Sequence, residues 1–226
     1  LGIDPVELGG APFALAVDTA VEIRASELGL GVNKGARVYV LPCIAGHVGA
    51  DAAGVVLAEA PQKAEINTLV VDVGTNAEIV VGNSKRMLAA SSPTGPAFEG
   101  AQISSGQRAA PGAIERIRID KDTLEPCFRV IGVEQWSNED GFDEAVKSTG
   151  ITGICGSGII EVLAEMYLSG ILSTDGVIDG TVAARTPRIE EDGRTFAYRV
   201  AENVVVTQND VRAIQLAKAA LHAGFR

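Results

Sequence analysis

The segment 67–90 constrains the fold more than any other part of the chain. Three short apolar runs, 67–73 (NTLVVDV), 77–81 (AEIVV) and 85–90 (KRMLAA), are separated only by Gly74-Thr75-Asn76 and Gly82-Asn83-Ser84. Loops that short join antiparallel neighbours, so the segment reads as a β-meander. Asp72 stands at the end of the first run. A carboxylate there costs free energy unless a metal, a hydrogen-bond cluster or water offsets it. Gly74 admits a close approach of the backbone to a ligand, Thr75 and Asn76 add short side-chain donors, and turn amides can form an anion nest. The group reads in two ways. One is a clamp on the β- and γ-phosphates of ATP, with Asp72 positioning Mg²⁺ through water or the attacking water. The other is a plain hairpin closed by an Asx-type turn.

Around this segment the chain alternates strand and helix signals. The alternation at 21–25 and the β-branched run 37–41, which ends at Pro42, predict strands. The Ala-, Gly- and Val-rich stretch before Pro61 predicts a closely packed helix over 51–60. Residues 91–111 are rich in Gly, Ser and Pro and predict a loop with a short helix. Strands are expected at 113–119 and 127–133, and an exposed acidic loop at 134–148. Cys155-Gly156-Ser157-Gly158 leads into helical spacing over 159–168, with Gly170 as the stop. Thr207 and Asp210 have the spacing of a capping box, opening a helix over 208–223 that stops at Gly224.

Composition removes several function classes. Nineteen basic against 29 acidic residues give a formal charge of −10, which repels a polyphosphate backbone, so nucleic acid is not an expected partner. A nucleotide remains compatible, because backbone amides hold phosphates without a basic surface. The three cysteines, Cys43, Cys127 and Cys155, have neither zinc nor cluster spacing and are read as reduced structural thiols of a cytoplasmic protein. No apolar run approaches the ~18 residues of a membrane span. The first residue is Leu1 and no signal-like segment follows, so the sequence reads as a piece of a longer polypeptide.

The order strand, proline, small-residue helix and hairpin resembles the second half of actin and Hsp70-type ATPases. The stretches LPCIAGHVGAD (41–51), VVDVGTNAEIVVGN (70–83), SSPTGPAFEGAQISSGQRAAPGAIERIRI (91–119), GICGSGIIEVLAE (153–165) and VTQNDVRAIQLAKAALHAG (206–224) look more closely like one family. They resemble the C-terminal ATPase region of the reductive activators of corrinoid proteins. The opening LGIDPVELGGAPF (1–13) fits as well, and only 134–148 matches poorly. The resemblance implies an α/β fold of the actin-like, Hsp70-like (ribonuclease H-like) type, incomplete here, with strands inserted around 113–133. Residues 1–62 would be the tail of its first subdomain with the connecting helix, and 63–226 most of the second. Such activators carry a plant-type [2Fe–2S] domain, a middle region and this module. They couple ATP to electron transfer that restores Co(I) in the corrinoid protein of a methyltransferase system. The family's first phosphate hairpin would precede this segment and its adenosine motif would follow it, leaving the second hairpin here. ATP with Mg²⁺ is the implied cofactor, the cluster belongs to the parent protein and not to this chain, and the partner is a corrinoid protein.

The site expected on these grounds has Asp72 and Glu99 in catalytic roles. Glu99 orients water or Mg²⁺, or merely caps a turn. Gly74, Thr75, Asn76 and Gly95 would approach the nucleotide. Gly156, Ser157 and Gly158 either present helix N-terminal amides to an anion or allow close helix packing with Ser157 as cap. Gln215 and Lys218 flank the adenosine on the last helix, or Lys218 is simply solvated. His47 and His222 are read as incidental. Two rival functions remain open: a small-molecule kinase of the same superfamily, and a non-enzymatic nucleotide-gated scaffold.

Overall fold

A computed structural model describes residues 1–226, which divide into two units, Leu1–Ser92 with Ala223–Arg226, and Pro93–His222.

In the first unit, β1 (Val21–Arg24) and β2 (Arg37–Val40) pair antiparallel from Val21↔Val40 to Arg24↔Arg37. Helix α1 (Ala50–Glu59) follows. It ends because Ala60 turns left-handed (φ 51°) and Pro61 cannot continue the ladder. The meander is present as β3 (Thr68–Val73), β4 (Ala77–Gly82) and β5 (Met87–Ser92), in that order in one antiparallel sheet. Its third strand runs two residues beyond the expected end. The turn at 83–86 is held by Asn83, whose Oδ1 accepts from the amides of Lys85 and Arg86. Ala77, Ile79 and Val80 are buried, whereas Leu69 and Leu88 are exposed.

The second unit is built on β6 (Ala113–Ile119). It pairs antiparallel with β7 (Pro126–Val130) and parallel, over two residues, with β8 (Gly153–Ile154). Between β7 and β8, the largely exposed stretch 134–148 carries the one-turn helix α2 (Phe142–Ala145). Phe142 is buried and meets Phe128 edge-on with ring centroids 5.9 Å apart. Helix α3 (Gly156–Leu168) packs along β6 and starts three residues before the apolar periodicity does. Gly158 permits the contact, because a Cβ there would lie 2.5 Å from the Ile114 carbonyl oxygen. Where β8 stops, α3 takes over its hydrogen bonding: Glu161 accepts from the Ile117 amide at 2.7 Å and Glu165 from the Ile119 amide at 2.9 Å. Two open edge donors are thereby satisfied.

A further antiparallel sheet follows, β9 (Ile189–Asp192), β10 (Thr195–Ala201) and β11 (Val204–Thr207), with β10 central. Tyr198 of β10 is fully buried and donates its hydroxyl to the Leu124 carbonyl at 2.9 Å. Burial pushes this phenol well above the usual tyrosine range. Helix α4 (Gln208–Gly224) opens with the expected capping box: Thr207 Oγ1 accepts from the Asp210 amide at 3.3 Å and Asp210 Oδ2 from the Thr207 amide at 2.8 Å. One apolar core joins these elements, including Ile114, Ile117, Ile154, Ile159, Met166 and Val211.

Candidate functional site

Each unit holds one group of the expected site residues. In the first unit, the β3–β4 loop is the three residues Gly74, Thr75 and Asn76, and the Gly74 amide closes it by donating to the Asn76 carbonyl at 2.9 Å. That amide is therefore engaged within the loop. Asp72 is half-buried and directly opposite Glu78. Like charges opposite each other across an antiparallel pair repel. Glu78 is steadied by Ser91, the next residue across the sheet, whose hydroxyl donates to Glu78 Oε1 at 3.0 Å. Sequence reasoning passed over Glu78. The signal was present, since a three-residue loop sets 72 against 78.

The second group surrounds a cavity of about 670 Å³ whose lining includes Glu99, Gln107, Arg108, Cys155, Gly156 and Ser157. Glu99 ends a short 3-10 turn, Pro96–Glu99, that begins after Gly95 at φ 74°. Gly156 must lack a side chain, because a Cβ would sit 1.9 Å from the Phe98 carbonyl oxygen. The first bond within α3 runs from the Ile159 amide to the Cys155 carbonyl, so the amides of Gly156, Ser157 and Gly158 are the unsatisfied ones of the first turn. Cys155, not Ser157, is the N-cap, and it makes no side-chain capping bond. The Ser157 hydroxyl donates to the Glu115 carbonyl at 3.1 Å and lies 3.3 Å from Cys155 Sγ, so its proton is committed inside the protein.

Sequence reasoning also passed over Arg108, an exposed guanidinium with no acceptor. It sits on a wall held from two sides. The Gln107 amide donates to Ile154 and the Ile154 amide to Ser105. Ser105 Oγ donates to the Val205 carbonyl at 3.0 Å and accepts from its amide at 2.9 Å. Asp210, almost fully buried, accepts from the Ser104 amide at 2.8 Å and its hydroxyl at 3.1 Å. The structure thus gathers Glu99, Gly156 and Ser157 at one cavity. Gly95, Gly158, Gln215 and Lys218 do not line it. Gln215 instead donates to the Asp175 carbonyl at 3.3 Å, and Lys218 is exposed on α4.

Residues 66–226 match the family described as the C-terminal domain of RACo, the ASKHA domain, and residues 1–64 match the RACo middle region. The chain belongs to this family. It is 32% identical to the corrinoid activation enzyme RamQ of Eubacterium limosum over 237 aligned residues, 99% of this chain and 37% of RamQ. It is 29% identical to the [Co(II) methylated amine-specific corrinoid protein] reductase of Methanosarcina barkeri, over 78% of this chain and 35% of the reductase. A solved structure of a reductive activator for corrinoid, iron-sulfur protein superposes with a TM-score of 0.81 at 32% identity, covering 99% of this chain and 34% of that one. The RACo-type chain therefore spans about a third of the length of these relatives, and its fold is that of the ASKHA class with mixed α/β layers. The β3–β4 hairpin is the first hairpin of the matched ASKHA segment. No helix is long and apolar enough to cross a membrane.

Proposed function

We propose that this chain is the nucleotide-binding segment of an ATP-dependent reductive activator that returns a corrinoid protein of a methyltransferase system to the Co(I) state. The observation that carries this reading is the ASKHA match over residues 66–226, opening on a hairpin that sets Asp72 against Glu78 beside the Gly74-Thr75-Asn76 loop. Because the hairpin comes first in that segment, chain order favours it as the domain's first phosphate clamp. Within the unit Pro93–His222, the α3 amides and Arg108 pair a helix N-terminus with a guanidinium, an arrangement suited to anionic oxygens.

The residues fit a hydrated Mg²⁺. Such an ion keeps several waters and takes one or two carboxylates plus phosphate oxygens, which matches a two-carboxylate hairpin and needs no larger cluster of ligands. When bound, Mg²⁺ supplies charge neutralisation at the phosphates. Asp72 holds the water layer at the hairpin, Glu78 is kept in place by Ser91, and Glu99 orients water at the cavity rim. The family resemblance supports a [2Fe–2S] cluster in the parent protein. A cluster in the parent protein would supply the single electron that takes Co(II) to Co(I). ATP is hydrolysed to ADP and phosphate in a separate step. Coupling lies in a different affinity of the nucleotide-bound and free module for the corrinoid protein, because a ligand shifts an equilibrium only by such a difference. The setting is cytoplasmic.

The test uses the full-length parent, an electron donor and its corrinoid protein. Co(I) absorbance is expected only with hydrolysable ATP. Asp72→Asn keeps the shape and removes the charge, and is expected to lower the ATP-dependent rate by about 10²-fold. Co(I) formation at equal speed without ATP would sink the activator reading and favour a kinase or a scaffold.

A further inference from the structure

The unit Pro93–His222 contains a second cavity, of about 390 Å³, formed by the 177–180 turn, the β9–β10 hairpin and the start of α4. Its volume is enough for one large side chain and its flanks. Two unpaired guanidiniums meet at its rim. Arg116, Arg118, Arg188 and Arg199 are each paired with a glutamate, and Arg185 donates to the carbonyls of Lys121 and Asp122. Arg194 and Arg212, both exposed, have no acceptor, and both line this cavity.

The apolar wall is Phe196, half-buried. Its ring occupies the space above Gly180, where a Cβ would lie 2.0 Å from a ring carbon. The floor is Gln208, buried and fixed at both ends: Oε1 accepts from the Ile178 amide at 2.9 Å and Nε2 donates to the Gly176 carbonyl at 2.7 Å. The floor is thus rigid, and the guanidiniums above it have nothing to bind within the chain.

Magnitudes select the occupant. An exposed ion pair contributes little, and Asp179, also in the lining, opposes an anion. A small free anion on two exposed arginines therefore gains too little to be held. A chain segment that presents two carboxylates and places an apolar side chain on Phe196 adds the three contributions.

We infer that this cavity docks an acidic segment of a protein partner, with its carboxylates on Arg194 and Arg212 and an apolar side chain on Phe196. The inference does not depend on the nucleotide reading above. The test is an NMR titration of the ¹⁵N-labelled chain with the capped peptide Glu-Glu-Phe-Glu-Glu, following arginine Nε–H signals and the Gly180 and Phe196 amides. Parallel arms use Lys-Lys-Phe-Lys-Lys, Glu-Glu-Gly-Glu-Glu and inorganic phosphate. The acidic phenylalanine peptide is expected to saturate. The glycine peptide, and the R194A/R212A double variant, are expected to weaken binding by about tenfold. Gly180→Ala, which crowds the ring without altering charge, is expected to weaken it too. Both arginines are exposed, so the double variant keeps its circular dichroism spectrum and decides the matter even if Gly180→Ala does not fold. Three results would overturn the inference: no saturation at several millimolar peptide, unchanged affinity in R194A/R212A, or saturation of the same signals by phosphate alone.

Discussion

Replacing Asp210 tests how the cavity wall at 104–108 is held. Its carboxylate is 2% exposed and accepts three hydrogen bonds, from the Ser104 amide, the Ser104 hydroxyl and the Thr207 amide. Asp210→Ala removes all three and leaves two amides without their acceptor. A buried donor left unsatisfied costs about 1–3 kcal/mol, and the lower half of that range applies because Ser104 is exposed and water can reach it. The Thr207 amide is one of these two donors, so the capping contact is already included and the total is about 2–4 kcal/mol. Asp210→Asn keeps one oxygen for Ser104 but turns an NH₂ group toward the Thr207 amide, and is expected to cost about half as much. The assay is urea unfolding followed by tryptophan fluorescence. The single tryptophan, Trp136, lies in the same unit, so the signal reports on the part of the chain that is perturbed. Backbone exchange should also speed up at Val205, whose amide donates to Ser105. A loss below about 0.5 kcal/mol, the level of an ordinary surface substitution, would refute the view that this carboxylate pins the wall. So would equal losses for Ala and Asn.

Tyr198→Phe removes the donor to the Leu124 carbonyl in a fully buried place and should cost about 1–2 kcal/mol by the same urea assay. In the native protein, ultraviolet titration should show Tyr198 ionising well above the ordinary tyrosine range, because burial holds it neutral. Glu161 supplies a pH-dependent case. Burial raises its carboxyl pKa, but the hydrogen bonds from Arg118 and the Ile117 amide, with the charges of Arg118 and Arg116, outweigh that and leave it below the usual 4.5. A depressed pKa contributes stability that is present above the unfolded value and lost as pH falls through the folded one. The stability gap between the native chain and Glu161→Gln should therefore be about 1–2 kcal/mol at pH 7 and shrink below about pH 4.5, as read from urea midpoints across pH.

What the sequence made legible follows from where local rules agree with packing. The meander could be read because alternation, loop length and turn residues all point the same way, and the α4 capping box because Thr207 and Asp210 satisfy each other locally. The start of α3 was not legible from apolar periodicity, which begins only at Ile159. Gly-Ser-Gly has poor helix propensity, and the two glycines are there because the backbones of Phe98 and Ile114 leave no room for a Cβ at 156 and 158. The acidic stretch 134–148 concealed Phe142, a single apolar residue with no periodic company, whose burial depends on Phe128 across the unit. Arg108 was hidden for another reason, since nothing in its neighbours marks it. It gains meaning from Ile154 and Asp210, which lie 46 and 102 positions away and hold the wall that presents it to the α3 amides. The hairpin group is thus a local product of the seven consecutive residues 72–78 and their partners. The cavity wall at 104–108 exists only after β8, β11 and α4 have assembled, so a destabilising change early in α4 should loosen that wall.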